Sequence, residues 1–311
     1  MVQTKVQKIF FALGSVNTLT VFSDGLEDVL LKAKNRVYEL HNKLSAFDEN
    51  SEVSQINKSA GVCPVKVSDD TLRLIERSVS YSKQTNGMFD ITIHPLSMLW
   101  KECIAEKALP SKEQVEKRLY LTNYRDILID RKNKTVMLRL KNQAIDLGGV
   151  AKGYAADEVR RIFLEENIDE ASINLGGTVI TIGETRKIGI QNPYEKTGTA
   201  FGSLGLHNKA VVSSGLYEQG FTLNGKTYHH IINPKTGYPA GSDLAGVTLI
   251  GDSAEELDAL STTALMSGMN SAAGFLGICG IEAVFITKGK KGIYNKRAGG
   301  SAWFLLKGRL L

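Results

Sequence analysis

Three stretches of this 311-residue chain carry residue types suited to phosphate and metal chemistry. The first is Asp146-Leu-Gly-Gly-Val-Ala-Lys152-Gly-Tyr-Ala-Ala-Asp157, which sets a carboxylate, a glycine pair and a lysine around the start of a helix. Gln143 to Leu147 reads as a short apolar strand, Gly148 and Gly149 let the backbone turn and approach a ligand, and Ala151 onward has helical spacing. The first turn of such a helix offers unpaired amides and the positive end of the helix dipole, which together suit phosphate. Taken alone, a Gly-Gly pair between strand and helix is as readily a tight connection. The spacing is neither G-x-x-x-x-G-K-[ST] nor G-x-G-x-x-G, so a different fold must hold the segment.

The second stretch is Asp258-Ala-Leu-Ser261-Thr262, which places a carboxylate and two hydroxyls at i, i+3 and i+4, three oxygens on one helical face. Hard oxygen donors suit Mg²⁺, which takes one or two carboxylates and completes its octahedron with water and substrate phosphate. The same residues are also ordinary on a solvated helix. The third, Tyr228-His229-His230-Ile-Ile232-Asn-Pro234-Lys-Thr-Gly237-Tyr-Pro239, reads as a strand ending in a Pro- and Gly-rich turn. His230 and Ile232 would share one strand face and His229 the other. With no further His, Cys or acidic partner at metal spacing, base and phosphate-contact roles remain for the histidines.

The elements that must position these residues follow from local signals. Ile9 to Phe22 reads as a strand pair bent at Gly14, and Leu26 to Lys43 as an amphipathic helix with Val29, Leu30, Ala33, Val37 and Leu40 on one face. A polar loop covers Ser45 to Ser51. Ser68 is placed to cap a helix carrying Leu72, Ile75 and Val79 that stops by Gly87, and Pro110-Ser111-Lys-Glu-Gln114 is a capping box. Short β-rich runs follow at Ile127 to Ile129, Thr135 to Leu140, Ser172 to Leu175, Val179 to Ile182, Ala210 to Ser213 and Tyr228 to Ile232, with a hairpin signal at Asn224-Gly225. Helices near Ala254 to Met266 and Asn270 to Cys279 precede a strand from Ala283 to Thr287. Strands grouped with short turns predict an α+β fold with largely antiparallel sheets packed with helices, in one domain over 1–311.

Composition sets the boundaries. With 42% hydrophobic and 23% charged residues the chain is of ordinary globular type. A net charge of +5 raises nucleic acid as a partner, but the basic residues are scattered among 33 acidic ones. The one local cluster, Lys288, Lys290 and Lys291, reads as a hairpin turn, so no nucleic-acid partner is expected. Cys63, Cys103 and Cys279 form no C-x-x-C pair and are expected to be reduced thiols. The opening residues pass straight into an alternating strand without a signal-peptide core, and no run approaches a membrane span, so a cytoplasmic monomer without a membrane anchor is expected.

From Phe10 to about Leu306 the chain resembles the ApbE family of FAD:protein FMN transferases. The resemblance rests on four ordered motifs: Leu44-Ser-Ala-Phe47 with Ser51-Glu-Val-Ser-Gln-Ile-Asn57; Gly87-Met-Phe-Asp90-Ile-Thr92; Asp146 to Asp157; and His230-Ile-Ile-Asn-Pro followed by Asp258 to Thr262. It implies an ApbE-like, T-fold-related architecture. It also implies a Mg²⁺ site made by the Gly149 carbonyl, the Asp258 carboxylate and the Thr262 hydroxyl, and FAD contacts at Leu13, Phe47, Met88, Phe89, Asp90, Asp146, Lys152 and Ile232. Phe47 and Phe89 are also readable as plain core aromatics.

The implied reaction transfers FMN from FAD to a Ser or Thr hydroxyl of a target flavoprotein and releases AMP; Asp258 and His230 are the expected catalytic residues, His230 as proton acceptor because an imidazole titrates near working pH. Asn233 stands where many relatives carry Asp and Ser261 where some carry a carboxylate, which would make the metal shell less anionic. The target motif resembles D-G-x-[ST]-G-[AS]-[ST]; the only Asp-Gly here, Asp24-Gly25, fails it, so the acceptor is expected on another protein. The competing readings are an FAD pyrophosphatase giving FMN and AMP, and a flavin-binding carrier without catalysis.

Overall fold

Leu13 and Gly14 both adopt left-handed backbone angles, φ 52° and 72°, and turn the strand Val6–Ala12 back onto Ser15–Val21. The computed structural model describes residues 5–196, 198–216, 220–289, 292–295, 303–306 and 309–310. Lys290 and Lys291 lie outside them. The helices in chain order are α1 (Glu27–Leu44), α2 (Glu52–Lys58), α3 (Asp69–Gln84), α4 (His94–Glu106), α5 (Lys112–Leu119), α6 (Ala151–Glu165), α7 (Ala254–Ser267) and α8 (Met269–Cys279). Every ladder between the described strands is antiparallel, as the grouped strands predict. The residues group into two compact units, one of 1–41, 151–215 and 242–311, the other of 42–150 and 216–241.

The first unit is built on an eight-stranded sheet whose spatial order follows the chain: Val6–Ala12, Ser15–Val21, Ala171–Leu175, Thr178–Ile182, Ala210–Gly215, Leu244–Gly251, Glu282–Thr287 and Gly292–Asn295. A second sheet runs Arg309–Leu310, Trp303–Leu306, Ala200–Leu206, Arg186–Gln191. Leu204, Leu206, Val211, Ile250, Val284 and Ile286 close an apolar core in this unit. The expected face of α1 is buried at Leu30, Ala33, Val37 and Leu40. Arg36 on α1 and Arg161 on α6 both bond Glu158. Burial works against ionisation of Glu158, but those two guanidiniums outweigh it and hold its carboxyl below the usual range.

The second unit carries a three-stranded sheet, Val65–Lys66, Thr135–Leu138, Ile127–Asp130, and the hairpin Gly220–Leu223 with Lys226–His229. Asn224 and Gly225 both have positive φ, as that turn requires. Ser111 and Gln114 form the reciprocal capping box of α5. Ser68 stands before α3, but its hydroxyl bonds Glu52 instead of capping the helix. Leu96, Leu99, Trp100, Cys103, Val115 and Ile232 pack as the unit's apolar cluster. The three cysteines are free thiols, and no described helix is long and apolar enough to cross a membrane.

Three expected strands are corrected. Gln143 to Leu147 forms no ladder: Ile145 instead exchanges both backbone hydrogen bonds with the Asn57 side chain, and the Asp146 amide donates to the Ile91 carbonyl at 2.8 Å. The strand through Tyr228 stops at His229, where the Ile231 amide turns back to His229 Nδ1, so His230 and Ile232 do not share a strand face. Thr135 to Leu140 likewise pairs only as far as Leu138.

Helices α6 and α7 meet at Gly153, where an added Cβ would lie 2.2 Å from the Ala254 carbonyl oxygen. Backbone cannot yield there as a flexible side chain would. Gly153→Ala is therefore expected to lower the urea unfolding midpoint by the equivalent of about 1–3 kcal/mol without changing the slope. An unchanged midpoint would mean that the two helices have room to separate.

Candidate active site

In the second unit the chain from Gly87 to His94 is shaped around Asp90. Its Oδ1 accepts from the Thr92 amide and hydroxyl at 2.9 and 2.6 Å, and its Oδ2 accepts from the Tyr124 amide at 2.9 Å. Burial pushes the Asp90 carboxyl above its ordinary value, against the pull of those hydrogen bonds. Asp90 thus fixes the turn that presents Met88 and Phe89, its own oxygens being committed to backbone and Thr92. Phe89 is buried, and its ring edge lies 3.6 Å from where a Cβ on Gly149 would stand.

Asp146 belongs to the same cluster. Its Oδ1 accepts the Gly148 amide at 2.8 Å, and its Oδ2 lies 3.7 Å from His94 Nδ1 at the start of α4. Neither Gly148 nor Gly149 has a positive φ, so the glycines serve close approach, not a left-handed turn. Phe47 is 63% exposed, which removes the core reading for it, and its ring meets His94 edge-on at 5.7 Å.

The first unit holds the expected residues at two places. Leu13 is braced by its amide to His41 Nδ1 at 3.3 Å, and Asn17, fully buried, ties the same turn through the carbonyls of Ala12 and Ser15. Ser15 in turn adjoins Gly176, where an added Cβ would lie 2.3 Å from the Ser15 hydroxyl and 3.3 Å from Lys152 Cδ. Gly176, with φ 58°, is thereby the residue that lets the Lys152 stem lie beside the Leu13 turn.

At the second place, on α7, Asp258 Oδ2 accepts the Gly153 amide at 2.9 Å. Thr262 stands one turn later and is half-buried. Among the described residues neither Asp258 Oδ1 nor the Thr262 hydroxyl is engaged by another group. Ser261 differs: its hydroxyl donates to the Asp258 carbonyl at 3.0 Å and receives Ser214 at 2.9 Å. The three oxygens expected on this face reduce to two, because the serine bonds back to its own helix. A carboxylate oxygen and a hydroxyl so disposed fit a hard cation.

The two histidines separate. His229 is buried, with Nε2 3.0 Å from the Ala240 carbonyl and Nδ1 accepting the Ile231 amide, so both nitrogens are spent on the loop. His230 is half-buried. Ile232 is 5% exposed within the apolar cluster, so its side chain serves packing. Asn233 Oδ1 accepts the Lys235 amide at 2.8 Å and its carbonyl accepts the Gly237 amide, an Asx turn that shapes the Pro-Lys-Thr-Gly loop.

Known proteins resemble this chain in sequence and fold. The ApbE family profile matches residues 13–285. The FAD:protein FMN transferase of Klebsiella pneumoniae (strain 342) is 34% identical over 263 residues, covering 82% of each chain. The chain belongs to the ApbE family. The crystal structure of the ApbE protein from Thermotoga maritima superposes with a TM-score of 0.84 at 31% identity, covering 95% of this chain and 98% of that one. The apo flavinyl transferase ApbE of Pseudomonas stutzeri, at 23% identity, covers 94% of both chains and shares the fold.

The ApbE motif ending at Asp157 has a role that local reading missed. Asp157 Oδ1 accepts the Ala254 amide at 3.2 Å, and its Oδ2 accepts the Glu255 amide at 3.0 Å and the Ser253 hydroxyl at 3.1 Å. A carboxylate on α6 therefore satisfies the first amides of α7, the helix that carries Asp258. Asp157→Ala is expected to cost about 1–2 kcal/mol of unfolding free energy, and Asp157→Asn less. Equal urea midpoints for parent and Asp157→Ala would show that Ser253 caps α7 unaided.

Proposed function

We propose that this ApbE-family chain is an FAD:protein FMN transferase that is Mg²⁺-dependent and esterifies a Ser or Thr hydroxyl of a separate flavoprotein. The observation that carries the reading is the pair of uncommitted hard oxygens, Asp258 Oδ1 and Thr262 Oγ1, on a helix face of a family whose relative in Klebsiella pneumoniae bears that name. A passive flavin pocket has no use for such a pair. We assign the Gly149 carbonyl as their third protein partner. When bound, the cation would neutralise charge on the pyrophosphate.

The chain's own residues supply the rest. Leu13, Phe47, Met88, Phe89 and Asp146 bind and orient FAD, with Asp90 contributing by fixing the turn that presents Met88 and Phe89 and Ile232 through its backbone. Lys152 lends a point charge to the phosphates. The acceptor hydroxyl oxygen forms a bond to the FMN phosphorus as the phosphoanhydride bond to AMP breaks in line, and AMP leaves with the electron pair. His230 accepts the hydroxyl proton. The target carries a D-G-x-[ST]-G-[AS]-[ST]-like motif, and the enzyme acts as a monomer.

Incubation with FAD, Mg²⁺ and a domain bearing that motif is expected to add the mass of FMN less water to the domain and to release one AMP per event. His230→Ala is expected to slow transfer by about 10²–10⁴-fold. No mass gain with any divalent ion would contradict the transferase reading, and AMP release at the same rate without acceptor would replace it with hydrolysis. Undiminished transfer by His230→Ala would remove the base assignment alone.

A further inference from the structure

We infer that His94 is a positioning residue for Asp146, its Nδ1 fixing the carboxylate orientation with which Asp146 engages the flavin nucleotide. The inference rests on the proposed contact between Asp146 and FAD. His94 has no place in the motifs read from the sequence.

Three observations carry it. His94 Nδ1 is buried and has no hydrogen-bond partner among the described residues, although a buried nitrogen without a partner is costly. It faces Asp146 Oδ2 at 3.7 Å, too long for a hydrogen bond and within the range of an ion pair. Asp146 stands at a fixed place beside it: its amide donates to the Ile91 carbonyl and its Oδ1 accepts the Gly148 amide.

The same imidazole meets Phe47 edge-on at 5.7 Å, so one ring touches two of the residues assigned to FAD. An inward movement of well under 1 Å by ring or carboxylate would convert the 3.7 Å approach into an Nδ1–H···Oδ2 bond. A ligand that orders Asp146 and Phe47 would favour that movement, because it relieves the orphaned nitrogen. His94 thereby couples the carboxylate to the aromatic wall without itself reaching the reacting phosphorus.

The test compares His94→Phe, which keeps a ring and removes the donor, with His94→Asn, whose amide nitrogen can replace Nδ1–H. FAD affinity is read by flavin fluorescence on the full chain, and KM and kcat are read in the transfer assay. His94→Phe is expected to weaken FAD binding and raise its KM about tenfold with kcat little changed, the loss of one charge-assisted hydrogen bond, and His94→Asn to restore most of it. If a lowered urea midpoint shows that Phe fits poorly, His94→Leu repeats the test with a smaller apolar side chain.

Parent-like FAD affinity in the donor-free variants, with weakened affinity in Asp146→Ala, would reduce His94 to packing and overturn the inference. Parent-like affinity in Asp146→Ala would instead overturn the reading of Asp146 on which it rests.

Discussion

The close approach of α6 to α7 at Gly153 is the constraint on which the arrangement in the first unit depends. Only a residue without a Cβ lets the Ala254 carbonyl come so near, and only that proximity brings the Gly153 amide to the Asp258 carboxylate. One oxygen of Asp258 is spent on holding the helices together, and the other is engaged by no described residue. Asp157, one turn further along α6, closes the same junction from its other end by taking up the first amides of α7. Lys152 adjoins Gly153 in the chain, so the lysine and the carboxylate are oriented by one helix contact. The fold and the proposed chemistry share these residues, and a change aimed at either is expected to disturb both.

The second unit solves its positioning problem without a regular ladder at the key segment. Asn57 pairs with both backbone groups of Ile145, and Ile91 receives the Asp146 amide, so side chain and loop backbone do what a neighbouring strand would otherwise do. The advantage is geometric. A strand would point alternate side chains to opposite faces, whereas this lacing lets Asp146, Gly148 and Gly149 follow one another with their backbone close to Phe89. Asp90 performs the corresponding task for the turn before α4, and it retains its hydrogen bonds even though burial disfavours its charge. These irregular segments carry the motifs of the resemblance to the ApbE family, and in them backbone bonding, not side-chain periodicity, sets the path of the chain.

Features with local causes were legible in the residue order. The Leu13-Gly14 and Asn224-Gly225 hairpins follow from left-handed turn residues, the α5 capping box from Ser111 and Gln114, and the buried face of α1 from its apolar spacing. Leu244–Gly251 and Arg186–Gln191 escaped because the first is buried on both faces and shows no alternation, and the second is short and broken by glycine. Helix α4 escaped because its start, His94-Pro95, reads as a breaker although proline is at home in a first helical turn. Among the proposed site residues, Asp146, Lys152, Asp258 and Thr262 stand out by type and motif. His94, His41, Asn17 and the commitment of Ser261 do not, because each depends on a partner or geometry that spacing does not encode: Asp146 is 52 positions from His94, and Leu13 is 28 from His41.

The central claim is that the carboxylate held by the Gly153 amide is half of a cation site. Titration calorimetry of Mg²⁺ into the full chain in the presence of FAD, for the parent and Asp258→Asn, tests it most directly. Asn keeps one acceptor for the Gly153 amide and removes the charge, so the helix junction is preserved while the ligand is weakened. The account predicts a single-site Mg²⁺ isotherm for the parent that is lost in Asp258→Asn at an unchanged urea midpoint. The same isotherm in both proteins would contradict it.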